Sequence, residues 1–445
     1  MTPGARAQAA IELLDAIDEA RGPADSCAQH YFRTRRFIGA KDRAAISRVV
    51  YGVLRRRAQI DWWLSRAGGA EPDARRRVFV ALAVLEGWGA AQLIEAFDGG
   101  RFRPPALSAA ERNLGTVLAG RSISHPDQPV DVRINAPAWL VPMLSARFGG
   151  ALEDELDAVV DEATLDLRVN LLKGERDDVR RRLAAEGVEA GITPLSPWGL
   201  RLKGRARLGE LKAFKDGSIE VQDEGSQVAA AMVDARPGMR VCDFCAGAGG
   251  KTLALAATMR NAGKIVACDT VARRLDGAAP RLRRAGVSNV ERRLLATERD
   301  VWVKRHKESF DRVLVDAPCT GTGTWRRNPD ARWFLAPADL RELVAKQARI
   351  LDSAARLVRP GGRLVYVTCS LLPAEDEKQV DAFLARDPGF RRLAAEGVWH
   401  EAVSAATALP GRGPDLVLTP HRHGTDGFYV AVLERHASAR PADEG

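Results

Sequence analysis

Two cysteines are the residues of this chain best suited to chemistry. Cys319 follows Asp316 by three residues, and Cys369 lies fifty residues further along. Each closely follows a short apolar run, at 313–315 and 364–367, that is typical of a buried strand. Because ligands bind at the carboxyl ends of parallel strands, we expect both thiols at one edge of a sheet. A thiolate can add to an electron-poor ring carbon, so the pattern predicts covalent catalysis on a flat substrate. The alternative is a pair of buried, inert cysteines.

The composition is typical of a globular protein with several domains. The 445 residues are too many for one ordinary core, and 46% are hydrophobic and 28% charged. No apolar run of about 18 residues predicts a membrane span, and the N-terminus lacks the apolar core of a signal peptide. The six cysteines show no disulfide framework, and the Cys242–Cys245 pair has no second ligand pair for a metal. We therefore expect a cytoplasmic monomer that binds neither a membrane nor a metal.

The charge distribution favours a polyanionic partner. The net charge is +9, with an isoelectric point near 9.5. Between residues 31 and 60, nine lysines and arginines stand against one acid, Asp42. A second basic cluster at 201–215 precedes a glycine-rich region. An arginine-biased surface would give the same composition, but the clustering favours binding of nucleic acid.

The pattern of apolar residues changes twice along the chain. The first 130 residues predict a helical bundle, with helices at 7–20, 74–88 and 109–118, and a linker at 124–129. One further helix carries an apolar stripe formed by Ile46, Val49, Val50, Val53 and Leu54. Residues 131–220 predict a helical linker, with two helices between 138 and 162, followed by a small α+β subdomain with a strand at 165–170 and a helix at 177–186. From 221 to 436, strands alternate with helices, which predicts a parallel, doubly wound sheet, and 437–445 predicts a disordered tail.

A glycine-rich turn at 245–252 follows the first strand of this third region. A phosphate-binding P-loop would need a glycine where Cys245 stands, and a dinucleotide fingerprint would need one where Thr252 stands. Asp269 ends the next strand, 22 residues after Gly247, at the position of a carboxylate that binds a ribose. The remaining prediction is an adenosyl cofactor without a pyrophosphate, S-adenosylmethionine.

Three runs together carry a resemblance to a known family. They are 243–252 (Asp-Phe-Cys-Ala-Gly-Ala-Gly-Gly-Lys-Thr), 316–323 (Asp-Ala-Pro-Cys-Thr-Gly-Thr-Gly) and 368–370 (Thr-Cys-Ser). They resemble the Sun/Fmu family of RNA cytosine-C5 methyltransferases, with support from 168–170, 222–226, 327–330 and 426–428. Residues 42–55 resemble the NusB-like RNA-binding domain of bacterial members. The resemblance implies an all-α NusB-like bundle, a small α+β segment and a C-terminal α/β Rossmann-like class I S-adenosylmethionine-dependent methyltransferase domain.

The resemblance also implies roles for individual residues. Cys369 would attack cytosine C6, Asp316 would hydrogen-bond the base edge near N3, and Cys319 would assist elimination after methyl transfer. The residues alone leave the two thiols unassigned, because a Pro-Cys pair is itself the nucleophile signature of DNA cytosine methyltransferases. The implied cofactor set is Cys245, Ala246, Gly247, Ala248, Gly249, Gly250, Lys251, Asp269, Arg274 and Asp316.

The implied substrate is a cytosine in 16S ribosomal RNA, and the base must leave its stack to be reached. A transfer RNA substrate and a catalytically silent ribosome assembly protein are the alternatives. The intact thiols, together with Asp316 and Lys251, favour the enzyme. The chain departs from the family after the third strand, where an acid usually contacts the adenine. Thr297 stands at that place, with Glu298 or Asp300 as substitutes.

Overall fold

The computed structural model of the protein describes residues 1–66, 71–204, 206–404, 408–411 and 413–437. The chain divides into two compact units, Met1–Glu162 with Trp325–Leu335, and Ala163–Thr324 with Ala336–Gly445. The tail predicted at 437–445 lies outside the described residues except for its first residue. Over the described ranges, no helix combines the length and apolarity that crossing a membrane requires.

The first unit is helical, and over the described residues the buried apolar side chains of its first seven helices form one cluster. The predicted apolar stripe lies on the third helix, and all five of its residues are buried. Ser108 caps the seventh helix by accepting a hydrogen bond from the amide of Glu111, whose carboxylate accepts from the amide of Ser108. The helices are α1 (Pro3–Ala20), α2 (Ala24–Thr34), α3 (Ala40–Arg55), α4 (Arg57–Arg66), α5 (Ala74–Val84), α6 (Ala90–Ala96), α7 (Ala109–Leu118), α8 (Val130–Arg133), α9 (Val141–Phe148) and α10 (Leu152–Val160).

A segment from the second half of the chain, Trp325–Leu335, completes this helical unit. Arg332 is fully buried, with its guanidinium 4.8 Å from the Trp325 ring and one nitrogen donating to the Asn135 carbonyl at 3.0 Å. Burial lowers the pKa of Arg332 to about 9. The division differs here from the predicted one, which places the segment with 221–436. Its large side chains find their partners among the helices, as do α9 and α10, which the sequence pattern places with 131–220.

A small antiparallel sheet begins the second unit. Its strands have the order β2-β3-β1-β4, and the helix Arg176–Ala185 packs against β2 and β3. The predicted strand and helix agree with the structure within two residues at each end. Buried leucine, valine and isoleucine side chains form the core of this part of the unit. The strands are β1 (Asp166–Val169), β2 (Ala190–Ile192), β3 (Gly199–Leu202) and β4 (Ile219–Val221).

The large sheet of the second unit positions the site. Over the described chain its order is β10-β12-β9-β8-β5-β6-β7, and β11 pairs with β12. The expectation of a parallel sheet is correct from β7 to β9 but wrong beyond β9, because β12 pairs antiparallel with β9, β10 and β11. The sheet is therefore mixed. The strands are β5 (Arg240–Asp243), β6 (Lys264–Asp269), β7 (Val290–Leu294), β8 (Phe310–Asp316), β9 (Val358–Thr368), β10 (Phe390–Leu393), β11 (Leu416–Leu418) and β12 (Phe428–Arg435).

Helices cover this sheet and bury most of its strands, which is why the strand sequences are almost continuously apolar. The helix after β5 buries seven of its nine residues. The helices of the second unit beyond the small sheet are Glu224–Ala231, Gly250–Thr258, Ala272–Ala285, Val301–Arg305, Pro337–Ala355, Glu377–Arg386, Ala395–Ala402 and Pro420–His423, and Lys212–Lys215 lies between β3 and β4.

Candidate active site

The two thiols meet at one edge of the large sheet. β8 and β9 are parallel neighbours, and Asp316 lies opposite Val367, so both strands end at the same level. Cys319 and Cys369 follow these ends, and their Sγ atoms lie 3.4 Å apart, within hydrogen-bonding distance. Neither cysteine is fully buried. The geometry agrees with the expectation, drawn from the strand pattern, that both thiols lie at one edge.

The thiol pair holds a proton on Cys319. The hydrogen bond with Cys369 raises the pKa of the Cys319 thiol well above its usual value, and burial raises it further. The negative charge of Glu375 acts in the same direction. A thiol that keeps its proton is a hydrogen-bond donor, so Cys319 can donate to the Cys369 sulfur.

Glu375 connects the loops that carry the two thiols. Its side chain is fully buried and accepts hydrogen bonds from the amide of Thr320 at 2.9 Å and the hydroxyl of Ser370 at 2.6 Å. Thr320 directly follows Cys319, and Ser370 directly follows Cys369. No motif in the sequence identified Glu375 as part of the site. The available signal is slight, because Glu375 is the first of three consecutive acids at 375–377, five residues after Ser370.

Asp316 forms an ion pair with Lys251. The lysine Nζ lies 2.7 Å from a carboxylate oxygen of Asp316 and 5.3 Å from the centre of the Phe428 ring. Lys251 is 7% exposed, whereas the Asp316 side chain is 35% exposed. The ammonium group is therefore held from one side while the carboxylate faces the cleft described below. The ammonium can donate hydrogen bonds and the carboxylate can accept them. A ring that carries polar groups can therefore bind against this ion pair.

The Asp-Gly-Phe run at 426–428 has a packing role next to the thiols. The Gly427 amide donates to the Gly323 carbonyl at 2.8 Å, and the Gly323 amide donates to the Cys369 carbonyl at 2.9 Å. A Cβ atom on Gly427 would lie 2.6 Å from a methyl carbon of Leu371. Only glycine fits this close approach of three chain segments. The run thereby fixes the backbone on which Cys369 lies.

A cleft of about 570 Å³ extends from Asp316 along the glycine-rich turn. Gly247 and Gly249 adopt positive φ angles of +55° and +79°, a conformation that favours glycine, and the helix Gly250–Thr258 begins directly after them. Of the cofactor residues implied by the resemblance, Gly249 alone does not line the cleft. A Cβ atom there would meet Ala278 at 3.1 Å. The others line it, namely Cys245, Ala246, Gly247, Ala248, Gly250, Lys251, Asp269, Arg274 and Asp316.

Two arginines fix the backbone of the glycine-rich turn from outside the cleft. Arg168 is buried and donates to the Gly250 carbonyl at 2.7 Å, and burial lowers its pKa to about 10. Arg281 donates to the Ala248 carbonyl at 2.6 Å. Because these carbonyls are bound from behind, the turn is held in a single conformation. Arg168 belongs to one of the runs that support the resemblance, but no sequence pattern predicts its contact with the turn.

Asp269 lies at the end of β6 and is 6% exposed. Its carboxylate accepts hydrogen bonds from the amides of Gly247 at 2.9 Å and Val271 at 2.8 Å. Each oxygen retains a second lone pair that faces the cleft, and these can accept hydrogen bonds from a pair of ribose hydroxyls. The residue therefore both shapes the turn and offers acceptors to a ligand.

Of the three residues considered for the adenine contact, Glu298 lines the cleft, and Thr297 and Asp300 do not. Asp300 caps the short helix that follows it by accepting from the amide of Trp302 at 2.7 Å. The Glu298 carboxylate pairs with Arg349 at 2.7 Å, and the hydrogen bond from Arg349 lowers its pKa. Glu298 therefore stays ionised at the far end of the cleft.

Asp243 ends β5 and is almost completely buried. Burial raises the pKa of its carboxyl group to about 7, against the lowering effect of a hydrogen bond from Thr252 at 2.6 Å. In the unfolded chain the group titrates near 3.8. The folded state therefore binds the proton of Asp243 more tightly than the unfolded state does. The contribution of this proton to the free energy of unfolding is complete below the unfolded pKa of 3.8, and it is lost as the pH rises through the folded pKa of about 7.

We therefore predict that stability falls between pH 5 and 7, and that Asp243→Asn removes most of this slope. The limiting slope for one group is about 1.4 kcal/mol of unfolding free energy per pH unit. Urea unfolding at pH 5, 6 and 7 measures it. The matched control is Asp352→Asn, in a side chain that is 49% exposed. An Asp243→Asn protein with the same pH slope as the control contradicts the assignment.

The donor set of the cleft fits S-adenosylmethionine. A glycine turn at a helix N-terminus, an acid at the end of the next strand and the absence of a P-loop suit an adenosyl group without a pyrophosphate. Together with a sheet that is parallel from β7 to β9 and antiparallel at β12, these features define an S-adenosylmethionine-dependent methyltransferase.

Comparison with known proteins narrows the class. Residues 230–434 match the family described as 16S rRNA methyltransferase RsmB/F, and residues 136–208 match the ferredoxin-like domain of RsmF/B-like methyltransferases. The chain belongs to this RsmB/F family. It is 35% identical over 415 residues to ribosomal RNA small subunit methyltransferase B of Xylella fastidiosa, covering 88% of this chain and 92% of that protein. It is 31% identical to the probable methyltransferase B of Synechocystis sp., covering 89% and 92%.

Solved structures agree with this family. The crystal structure of PH0851 has a TM-score of 0.78 and 28% identity, covering 98% of this chain and 100% of that one. A methyltransferase homologue from Pyrococcus horikoshii has a TM-score of 0.59 and 27% identity, covering 68% and 97%. The predicted family and cofactor are therefore confirmed, and the chain is an S-adenosylmethionine-dependent RNA methyltransferase. The NusB-like character of the helical unit stays a prediction.

Proposed function

We propose that this protein methylates carbon 5 of a cytosine in 16S ribosomal RNA through a covalent adduct between Cys369 and carbon 6 of the base. The observation that carries the proposal is the pair of sulfur atoms 3.4 Å apart, beside an aspartate that borders the cofactor cleft. A methyltransferase acting on an already nucleophilic atom needs no cysteine. Ring carbon 5 of cytosine is a poor nucleophile, and thiolate addition at carbon 6 is the chemistry that activates it.

In this mechanism the two thiols have different roles: Cys369 is the nucleophile, and Cys319 transfers a proton. The Cys369 thiolate forms a bond to C6, and the electron pair of the C5–C6 double bond becomes available at C5 to take a methyl group. The proton on C5 must then leave before the Cys369 sulfur is expelled as a thiolate. Cys319 lies against that sulfur: once it has released its own proton to solvent, its thiolate takes the proton from C5, and the C5–C6 double bond re-forms as the Cys369 sulfur leaves.

Asp316 and Lys251 hold the base edge during these steps. Addition of sulfur to C6 places negative charge on the ring near N3. The Lys251 ammonium, bound to the Asp316 carboxylate at 2.7 Å, supplies the positive charge and the proton that offset this charge, and Asp316 passes the proton to N3. Phe428 covers the other side of the ammonium and limits its access to water. The pair thereby stabilises the addition intermediate.

S-adenosylmethionine, when bound, supplies the methyl group on a sulfonium ion. The residues that line the cleft would hold it: the turn around Gly247 would bind the methionine end, Asp269 the ribose and Glu298 the adenine. This assignment gives Glu298 the role that the sequence left open between residues 297 and 300. Arg274, which also lines the cleft, would contribute a positive side chain to the binding of the cofactor.

We predict that Asp269→Ala weakens S-adenosylmethionine binding at least tenfold. The change removes acceptors for two ribose hydroxyls and also frees the Gly247 amide, and a hydrogen bond to a charged group contributes about 1.5–3 kcal/mol. Isothermal titration calorimetry measures the affinity. Asp276→Ala is the control, because this aspartate lies on the following helix with a 79% exposed side chain. Equal affinities in the two variants contradict the assignment of Asp269.

Bisulfite sequencing of total RNA tests the reaction itself. In a strain lacking the gene, one cytosine of 16S ribosomal RNA is expected to lose its methyl group and with it its resistance to bisulfite conversion. The wild-type gene restores it, and a gene encoding Cys369→Ala does not. The names of the relatives support ribosomal over transfer RNA. A lost signal in transfer RNA would move the substrate to that class, and an unchanged RNA would favour a silent assembly protein.

A further inference from the structure

The helical unit contains an open cleft of about 630 Å³ with two aromatic rings directed into solvent. Phe37 follows α2 and is 78% exposed, and Phe102 follows α6 and is 71% exposed. These are the two aromatic side chains among the large hydrophobic residues that the described chain leaves exposed. Exposure of a large apolar ring is unfavourable in water, so two exposed rings on one cleft indicate an interaction site.

The backbone at Phe102, one of these two residues, adopts an unfavourable conformation. Phe102 has a φ angle of +64°, in the left-handed region that bulky residues avoid. The turn around it is closed by hydrogen bonds from the Arg103 amide to the Gly100 carbonyl at 3.0 Å and from the Gly99 amide to the Pro104 carbonyl at 3.0 Å. A strained conformation that persists on a surface turn is typical of a functional site.

Arginines accompany the aromatic rings of this cleft. The Arg35 guanidinium lies 3.9 Å from the centre of the Tyr31 ring, and the Arg101 guanidinium lies 4.8 Å from that of Phe102. One carboxylate lines the cleft, Glu12, which accepts the Tyr31 hydroxyl at 2.8 Å and lies 3.6 Å from Arg35. Its charge is thus offset locally. Arg101 forms no ion pair with any described residue, so the rim is cationic.

Flat rings flanked by guanidinium groups are the feature with which proteins bind unpaired nucleotides, through stacking on the base and charge on the phosphate. A volume near 630 Å³ lies in the range of small-ligand sites. We propose that this cleft binds an unpaired nucleotide of the RNA, with the base stacked on Phe37 or Phe102 and the phosphates on Arg35 and Arg101. The inference rests on the proposed function for the presence of RNA, but requires neither methylation nor the thiols.

The test uses the full-length protein without cofactor and a fluorescein-labelled, unstructured 12-nucleotide RNA, followed by fluorescence anisotropy at several salt concentrations. The variant Phe37→Leu/Phe102→Leu keeps the apolar bulk and removes the flat faces. We expect binding at least tenfold weaker with an unchanged salt slope, since stacking contributes about 1–3 kcal/mol per base. The matched control is Ile94→Leu/Val117→Leu, at exposed apolar positions of the same unit.

Arg35→Gln/Arg101→Gln is expected to weaken binding and to lower the salt slope, by about 0.7 for each single-strand phosphate that the variant no longer neutralises. A blunt 12-base-pair RNA duplex, whose bases are not available for stacking, should bind the wild type and the leucine variant equally. Irradiation of the same 12-nucleotide RNA carrying 5-iodouridine should cross-link to peptides containing Phe37 or Phe102.

Leucine variants that bind the single strand within twofold of the control would overturn the proposal and favour a protein partner for the cleft. Equal loss for duplex and single strand would also overturn base stacking. Neither result bears on cytosine methylation, which bisulfite sequencing decides separately. Conversely, an RNA without 5-methylcytosine would leave the binding result intact.

Discussion

Cys369→Ala is expected to abolish both methylation and every covalent protein–RNA species, whereas Cys319→Ala is expected to trap one. The asymmetry follows from the order of steps. Loss of the nucleophile prevents formation of the C6 adduct. Loss of the thiol that lies 3.4 Å from it removes the proton exchange needed for release, so the methylated adduct accumulates. The trapped species survives denaturing electrophoresis and depends on S-adenosylmethionine.

A matched control for the cysteine pair is Cys242→Ala. This cysteine is buried in β5 outside the cleft, and it should neither trap RNA nor lose more than a small part of the activity. Radiolabelled methyl groups show whether transfer precedes trapping. A trapped adduct with Cys369→Ala and none with Cys319→Ala would exchange the two roles. Full turnover in both variants would exclude covalent catalysis by this pair.

Glu375→Ala is expected to reduce the methylation rate more than 100-fold. The change leaves the Thr320 amide, the Ser370 hydroxyl and the Gln347 amide without their shared acceptor. Each buried polar group left without a partner costs about 1–3 kcal/mol. Because these groups lie on both thiol loops, the two sulfur atoms lose their alignment. Single-turnover methylation measures the loss, and a rate within threefold of wild type would contradict the positioning role.

The variant Glu375→Gln tests separately the two effects of Glu375, the alignment of the thiol loops and the negative charge near Cys319. The glutamine keeps the shape, and its oxygen still accepts from the Thr320 amide. Its nitrogen would donate to the Ser370 and Thr320 hydroxyls, both of which donate to Glu375 in the wild type, so most of the alignment survives. It removes a negative charge that helps to raise the pKa of Cys319. We expect activity well above that of Glu375→Ala and alkylation of Cys319 by iodoacetamide at lower pH than in the wild type. An unshifted alkylation profile would leave Glu375 with a packing role alone.

Local patterns in the sequence were sufficient to predict the family, the cofactor and the two thiols. The strands before Cys319 and Cys369 are short apolar runs, and parallel strands end at one edge, so their proximity follows from the fold class. The turn at 245–252 and the spacing to Asp269 likewise lie within one strand–helix–strand unit. These features were predictable because the residues that make them are close in the chain or lie at equivalent strand ends.

The groups that support the site became visible only in the folded chain. Glu375 contacts Thr320 across 55 residues, and Arg168 contacts the Gly250 carbonyl across 82. Neither hydrophobic periodicity nor motif spacing in the sequence predicts such pairs, because they form only when strands from distant segments pack together. The antiparallel pairing of β12 and the placement of Trp325–Leu335 in the helical unit likewise depend on contacts between distant segments. That Glu298 lines the cleft, whereas Thr297 and Asp300 do not, also became visible only in the fold, because the sequence does not show which way each side chain points. Asp300 instead accepts from the Trp302 amide.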